Sequence, residues 1–558
     1  MSVNLFETPI TPAVDLDADV VVYVPGYAKK GPLEPTLVTA DTFAEIFGES
    51  PYTFPSGDST SSVSKNSLGI NAPDRGWLYA KGLLDAGLTV LYHRIPNSDS
   101  SAYAVSDFIS LYTKEPGLTE EGEETLSSTY RLRFKAKFPG HFYENYSIMV
   151  GNFENGAQRL TIYEKKESEV QEPVQERSVS FNPDDPYFIG NQDILDNLDI
   201  QFFVGDEQVD NVAEAFQLKN LYDVEGTVGY MRLQTPAEAT QEGETLKASY
   251  TLSISEDSTS TTPEFTVAKL LTNLAGTDEV PGKLDALLDT DAYPTITYIT
   301  SGGYYQTPAL AKKMLWLANQ VKAIALIDFP DLTHTSLLTT IKGVGADPVE
   351  YIKGAAFIGA DTYSINGHNR IMADSYGYLT KLGMNLSQAI PAWIPVANVP
   401  QGVTSAVATT RPVTFATKAL LMPSDNRGRA FNPIVYKQNS GYTIMGNRTL
   451  AVLNGVLGPD AFLNCQLVVN SVLRSARRAA ADLLIVSTSP TTAFSTFCSR
   501  VSKTCDKMLV NGDGLAAYNI TKLKKTKPAT IDIQIALTLV EGIETFNVYV
   551  PYEIALDA

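Results

Sequence analysis

Asp328 is the residue whose position in the sequence best suits chemistry. It closes the apolar run Ala323-Ile-Ala-Leu-Ile and precedes Phe329-Pro330. An acid at the carboxyl end of a strand is where α/β enzymes hold catalytic or metal-binding groups. The same position serves equally for capping a loop, and no partner stands beside it in sequence. The histidines, His93, His141, His334 and His368, have neither H-E-x-x-H nor any other ligand spacing. His334, between Thr333 and Thr335, reads as a helix-start residue. The chain contains no phosphate-cradling G-x-x-x-x-G-K-[ST], no dinucleotide G-x-G-x-x-G and no G-x-S-x-G nucleophile elbow. The three cysteines, Cys465, Cys498 and Cys505, are odd in number and lack C-x-x-C spacing, which suits a reducing compartment and no disulfide framework. Neither a catalytic centre nor a cofactor or metal site is expected.

The other candidate groups are cations. Arg474, Arg477 and Arg478 stand at i, i+3 and i+4 in a helical run from Gln466 to Val486, so they share a face. Ser489 as N-cap and Pro490 next to it open a second helix. Its apolar stripe is Phe494, Phe497, Cys498, Val501, Cys505 and Met508, while Arg500, Lys503 and Lys507 fall on a separate face. Cysteines within such a stripe are expected to be buried rather than reactive. Lys522, Lys524, Lys525 and Lys527 follow. A basic face can be an ordinary solvated one or can bind an acidic partner. Interleaved aromatics are missing and the net charge is −20, so an acidic protein surface fits better than nucleic acid.

At 558 residues the chain exceeds one core, and two to four domains are expected. It has no apolar run of about 18 residues, the length a membrane span needs. Its start lacks the basic-then-apolar pattern of a signal peptide. Charge is unevenly spread. Tyr103 to Thr266 carries 30 acidic against 12 basic residues, and Gly441 to Pro528 carries 4 against 11. Such polarity suggests that different parts face different environments.

The elements follow in order. Met1 to Asp19 reads as an extended arm bearing Leu5, Phe6 and Ile10. Asp19 to Pro25 is a β-branched strand, and Thr39 to Gly48 a short glycine-ended helix. Trp77 to Pro96 is a helix followed by a strand. From about Ser101 to Pro263 short alternating runs, such as Tyr130 to Lys137, Tyr146 to Val150, Arg159 to Tyr163 and Ala248 to Ile254, indicate a β-rich insertion. Thr307 caps a helix from Ala309 to Val321; strand, helix and strand then follow at Ala323 to Asp328, Thr335 to Lys342 and Ala355 to Ala360, giving an α/β sheet. Near the end, Ile531, Ile533, Ile535, Leu537 and Leu539 alternate with more polar positions. After Gly542, Phe546, Val548 and Val550 do the same until Pro551. These two segments either form a closing hairpin or pair with a neighbouring copy.

Three stretches resemble contractile tail sheath proteins of myovirus-type phages and related injection devices. They are VPGYAKKGPLEPTLVTADTFAEIFG (Val24 to Gly48), WLYAKGLLDAGLTVLYHRIP (Trp77 to Pro96) and, most specifically, GRAFNPIVYKQNSGYTIMGNRTL (Gly428 to Leu450). The resemblance covers roughly residues 20–100 and 265–558 and leaves out the insertion. The family's Asn-Val-Arg-Arg-like segment is replaced here by Leu463-Asn-Cys-Gln-Leu-Val-Val-Asn470, with Arg474, Arg477 and Arg478 arriving later.

This resemblance implies an α+β and α/β multidomain chain. With the insertion read from its alternating runs, it comprises an N-terminal arm (1–19), a strand–helix module joining the α/β part (20–100), an acidic β-rich outer domain (101–264), an α/β domain (265–425), a C-terminal assembly domain (426–543) and a C-terminal strand arm (544–558). The N-terminal strand is expected to complete the C-terminal assembly domain. A turn at Gly446, Asn447 and Arg448, with Arg448 as anchor, is implied. So are arms bearing Leu5, Phe6, Ile10, Phe546, Val548 and Val550 that join neighbouring subunits' sheets. Arg500, Lys503 and Lys507, or Arg474, Arg477 and Arg478, are the candidates to face a tail tube. The implied function is a non-enzymatic subunit of a virion tail, assembled in the host bacterial cytoplasm. It would polymerise helically around the tube, meet baseplate and terminator proteins, and drive the tube through a cell envelope on contraction, without nucleic acid, membrane or cofactor. An α/β enzyme using Asp328 and a surface adhesin with a β-rich binding insertion are the alternatives.

Overall fold

In the computed structural model, the described residues are 20–50, 72, 74–96, 103–107, 109–112, 117–118, 124–125, 128–154, 156–165, 171–180, 185–188, 200–204, 207–208, 232–235, 249–253, 266–277, 280–289, 292–293, 296–330, 334–365, 367–409, 430–456, 458–483, 490–509, 514–523 and 531–540. Both terminal arms, and hence Leu5, Phe6, Ile10, Phe546, Val548 and Val550, lie outside them. The chain divides into two compact units. One comprises residues 1–28, 33–97 and 265–558, the other residues 29–32 and 98–264.

The first unit is built on a six-stranded sheet. Its strands are β1 (Val21–Gly26), β2 (Thr36–Val38), β3 (Thr89–Arg94), β4 (Ile296–Ile299), β5 (Ile324–Phe329) and β6 (Gly354–Ile358), in the order β6-β5-β4-β1-β3-β2. All neighbours are parallel except the edge strand β2, which runs antiparallel to β3. Helices α1 (Ala40–Phe47), α2 (Arg75–Asp85), α3 (Val267–Ala275), α4 (Pro308–Val321), α5 (His334–Val344) and α6 (Asp374–Ser387) belong to the same unit. The wholly buried β1, Val-Val-Tyr-Val-Pro-Gly, is what a central parallel strand with both faces covered requires. The expectation that this strand completes the C-terminal domain is therefore corrected. It pairs with β3 and β4 at the centre of the α/β sheet.

Each face of the sheet has its own core. Tyr23, Ile299 and Ile327 pack with Leu310, Met314 and Leu317 of α4. Val22, Val24 and Leu326 pack on the other face with Leu83 of α2 and Leu379 of α6. Phe43 and Phe47 of α1 meet Tyr92 edge-on, with centroids 5.1 and 4.7 Å away. That contact explains the Phe-x-x-x-Phe spacing, since i and i+4 share a helix face. Thr307 caps α4 as its sequence predicts, its hydroxyl accepting from Leu310 N at 3.3 Å.

Two glycines let α2 touch the sheet. A Cβ on Gly76 would lie 2.6 Å from Gly26 Cα and from Pro25 O, and one on Gly302 would lie 2.2 Å from Pro25 O, with φ at +74° besides. Both the contact and the backbone exclude a side chain. Gly302→Ala is expected to destabilise the chain by about 3 kcal/mol in urea denaturation. A loss below about 1 kcal/mol would mean that this junction is loosely packed.

Beyond the sheet, β7 (Ala360–Ile365) and β8 (His368–Ala373) form a hairpin, as do β9 (Ile434–Lys437) and β10 (Gly441–Ile444). The C-terminal part holds α7 (Leu463–Ala481), α8 (Pro490–Leu509) and a ribbon of β11 (Leu515–Lys522) and β12 (Ile533–Leu539). Val468, Val472, Phe497, Val501, Cys505 and Met508 form its separate core. Among the described residues no helix is long and apolar enough to cross a membrane.

The second unit is β-rich, as its alternating runs predict. One sheet takes four strands, Gln171–Val179, Ala157–Lys165, Tyr146–Glu154 and Tyr250–Thr251. Another takes five, including Ser128–Ala136 and Ile200–Val204, and Gly117–Leu118 pairs separately with Glu124–Thr125. Ile148, Val150, Leu160 and Ile162 point into its core.

Candidate functional site

Asp328 is fully buried at the end of β5 and serves as a cap. Its Oδ2 accepts from Ser375 Oγ at 2.6 Å and its Oδ1 from Ser375 N at 3.2 Å. Ser375 is the second residue of α6, whose own N-cap residue, Ala373, offers no side-chain acceptor. A carboxylate from 47 residues upstream therefore satisfies the orphan donor of that helix start. Tyr79 Oη lies 2.8 Å from Ser375 Oγ, and Gln306 Oε1 accepts from Asp328 N at 2.7 Å.

One strand from Asp328, between β1 and β4, is the point where ligands enter doubly wound sheets, because the chain leaves β1 toward β3 on one side and returns as β4 on the other. Here that crevice is filled. Gly76 and Gly302 close it with backbone, and Arg75 crosses it to donate to Gly303 O at 3.0 Å and to Ile371 O. Beside it Asp74 and Arg370 form a buried ion pair at 2.9 Å. The network caps and ties elements together.

Burial pushes the Asp328 carboxyl up to about 7, against the pull of the Ser375 hydrogen bonds and the Arg75 charge. Its ordinary unfolded value is about 3.9. Between these values the folded chain holds a proton that the unfolded chain releases, so this residue's contribution to stability falls as pH rises from about 4 to 7. Asp328→Asn removes that dependence. Melting curves should show wild type gaining on the variant as pH drops from 8 to 5. A constant gap would mean that the carboxyl stays charged.

The signature turn is held by asparagines. Asn432 Oδ1 accepts from Arg448 N at 2.8 Å, and Asn432 Nδ2 donates to Arg448 O at 2.9 Å. Gly446 leaves room for this, since a Cβ there would lie 2.6 Å from Asn432 Oδ1. Asn447 Nδ2 donates to Asn464 Oδ1 at 2.6 Å, and Leu463 N donates to Asn447 O at 3.0 Å. The turn thus fixes the first turn of α7. The Arg448 guanidinium sits 4.2 Å from the Phe462 ring centroid, a cation–π contact.

The cationic candidates separate into two kinds. Arg474 Nη1 donates to Lys322 O at 2.9 Å, and Arg477 Nη2 donates to Gln320 O at 3.2 Å. Both cap the carbonyl end of α4, where cations are favoured. Burial draws the Arg474 guanidinium down to about 10. Arg478 is half-buried. Arg500, Lys503 and Lys507 are exposed on α8, with Arg500 Nη1 2.5 Å from Asp482 Oδ2. The opposite stripe of α8 is buried at Phe497, Val501, Cys505 and Met508. Burial and the neighbouring Asp506 push the Cys505 thiol up to about 11, and burial also raises half-buried Cys498. Lys524, Lys525 and Lys527 lie outside the described residues.

The ribbon pairs the first terminal segment with a strand that the sequence reading leaves out, while Phe546 to Val550, and with it the choice between a closing hairpin and a shared strand, lies outside the described residues. Ile533–Leu539 pairs antiparallel with the upstream strand Leu515–Lys522, from Leu515 opposite Leu539 to Lys522 opposite Ile533. The upstream strand escapes sequence reading because a register shift between Leu515 and Ala517 breaks its alternation; Tyr518 and Ile520 are its only period-two signal. One face of the ribbon, with Tyr518, Ile520, Ile535 and Leu537, packs partly buried against the core of α7 and α8. Among the described residues neither outer edge has a further strand.

No family model matches the sequence, and no curated protein does. Similar solved structures include the sheath tail protein of Desulfitobacterium hafniense, 10% identical, covering 97% of this chain and 100% of that one with a TM-score of 0.46. The sheath tail protein Lin1278 of Listeria innocua is 9% identical over 94% of this chain and 95% of its own, with a TM-score of 0.46. The sheath complex of an extracellular contractile injection system in its contracted state is 18% identical, covering 52% and 80%, with a TM-score of 0.37.

Proposed function

We propose that this chain is the subunit of a contractile sheath that polymerises helically around a tail tube. The observation that carries the reading is the ribbon of β11 and β12. A lone pair of strands is marginal in water. This one packs a single face on helices, has no further strand on either backbone edge among the described residues, and stands in the part of the chain that follows the sheath-like signature. Strands reaching from neighbouring copies would complete it by main-chain pairing. The donors are the arms at residues 2–19 and 544–558. The packed crevice around Asp328 supports a structural subunit over an α/β enzyme. Arg500, Lys503 and Lys507 would face the tube, and the acidic β-rich unit would lie outermost. Baseplate and terminator proteins would meet the ends of the polymer, in a tail assembled in a bacterial host. Energy for contraction would be stored in the extended array, without nucleotide.

Electron microscopy of the purified chain tests this directly. Long hollow cylinders are the expected result. Discrete monodisperse particles at every concentration would favour the enzyme or the adhesin.

A further inference from the structure

Helix α7 is held by three different surfaces. Its first turn is pinned by Asn447 and packs Leu463 and Leu467 into the core of the α/β sheet. A second stripe, Val468, Val472 and Ala479, belongs to the separate core shared with α8. The third stripe, Gln466, Asn470, Arg474 and Arg477, recurs at helical spacing and meets the α/β part through polar contacts. Lys353 Nζ donates to Gln466 Oε1 at 2.9 Å and to Asn470 Oδ1 at 2.6 Å. Asn470 Nδ2 donates to Ala323 O at 3.2 Å, while Arg474 and Arg477 reach the end of α4.

We infer that this polar seam is a releasable latch, letting α7, α8 and the ribbon swing as one body about the Phe462–Leu467 end of α7. The three surfaces differ in what separation costs. Opening the α7–α8 core would expose Val468, Val472, Val501 and Cys505 to water, which the hydrophobic effect opposes in proportion to area. Opening the seam exchanges its hydrogen bonds for bonds to water, so part of their strength is recovered, whereas exposed apolar area recovers none. It also rehydrates Lys353, an ammonium that burial disfavours, its value drawn down to about 8. A pinned end, a weak polar length and a strong far core make a hinged arm. The ribbon that accepts neighbouring strands rides on that arm.

The role of this swing in contraction rests on the sheath reading, but the swing itself is measurable in the isolated chain. In a Cys498→Ser background, spin labels at Lys312→Cys on α4 and Ser499→Cys on α8 report the distance across the seam. One narrow distance is expected for the otherwise native chain. Replacing both cations (Arg474→Gln, Arg477→Gln) should add a second, longer distance. Its population should rise about tenfold or more for two lost charged hydrogen bonds. An apolar seam (Lys353→Met, Gln466→Leu, Asn470→Leu) should keep the single distance and melt higher. A single distance in all three, with the double variant folded, would overturn the latch. So would an apolar seam that melts lower. If the double variant fails to fold, the apolar variant alone decides. Neither outcome depends on cylinders forming, so failure of the sheath reading is seen separately.

Discussion

Deleting Ser2 to Asp19, or every residue after Gly542, is expected to leave a folded, soluble chain that forms no cylinders. The described cores explain why folding should survive. The sheet cores draw on strands from Val20 onward, and the α7–α8 core closes with β12, whose last paired residue is Leu539. Assembly is another matter. An added strand of about five residues makes roughly four ladder hydrogen bonds, each worth about 0.5–1.5 kcal/mol net. On the sheath reading, losing one arm at every contact would weaken each junction by about 2–6 kcal/mol, or about thirtyfold to twenty-thousandfold in its constant. Leu5, Phe6, Ile10, Phe546, Val548 and Val550 would add apolar burial to that. Circular dichroism should match the full chain while electron microscopy shows only monomers. Cylinders of normal length from either truncation would sink strand sharing.

Much of the α/β part is legible in the sequence because its signals are local. A buried β-branched run, a Thr-Pro helix start and a glycine stop each act within one turn, and β1, α1 and α4 follow them. Placement is not local. Nothing in Val20 to Val24 says that it lies between β3 and β4, because a strand buried on both faces would suit any central position. The Asp328 cap is hidden for the same reason. Its partner Ser375 lies 47 residues away, across a crossover. The cationic face at Arg474 illustrates a different limit. Helical spacing places Arg474, Arg477 and Arg478 together correctly, but spacing cannot tell a solvent face from one that meets a helix end. The carbonyls of Gln320 and Lys322 decide that. Likewise Gln466 and Asn470 give no sequence signal, since their partner Lys353 belongs to a distant loop.

That limit sharpens the choice among the residues proposed to face a tube. A surface that must grip before firing and slide afterwards favours contacts that are directional, hydrated and individually weak. Exposed charge pairs, each worth about 0–1 kcal/mol, meet this better than a broad apolar patch. Arg474 and Arg477 are engaged within the chain, whereas Arg500, Lys503 and Lys507 project from a helix whose other stripe is buried. Arg500 already pairs with Asp482, an exposed contact that could be exchanged for one with a partner. On the sheath reading, changing all three (Arg500→Glu, Lys503→Glu, Lys507→Glu) would replace attraction to an acidic tube by repulsion, a swing of a few kcal/mol per subunit at low salt that would be multiplied around each ring. The chain itself should lose little, because among the described residues only the exposed pair with Asp482 is broken. The expected product is empty, contracted-like cylinders with no extended form on the tube, and raising salt should also weaken the wild-type grip. Normal extended tails from the triple variant would move the contact to another face.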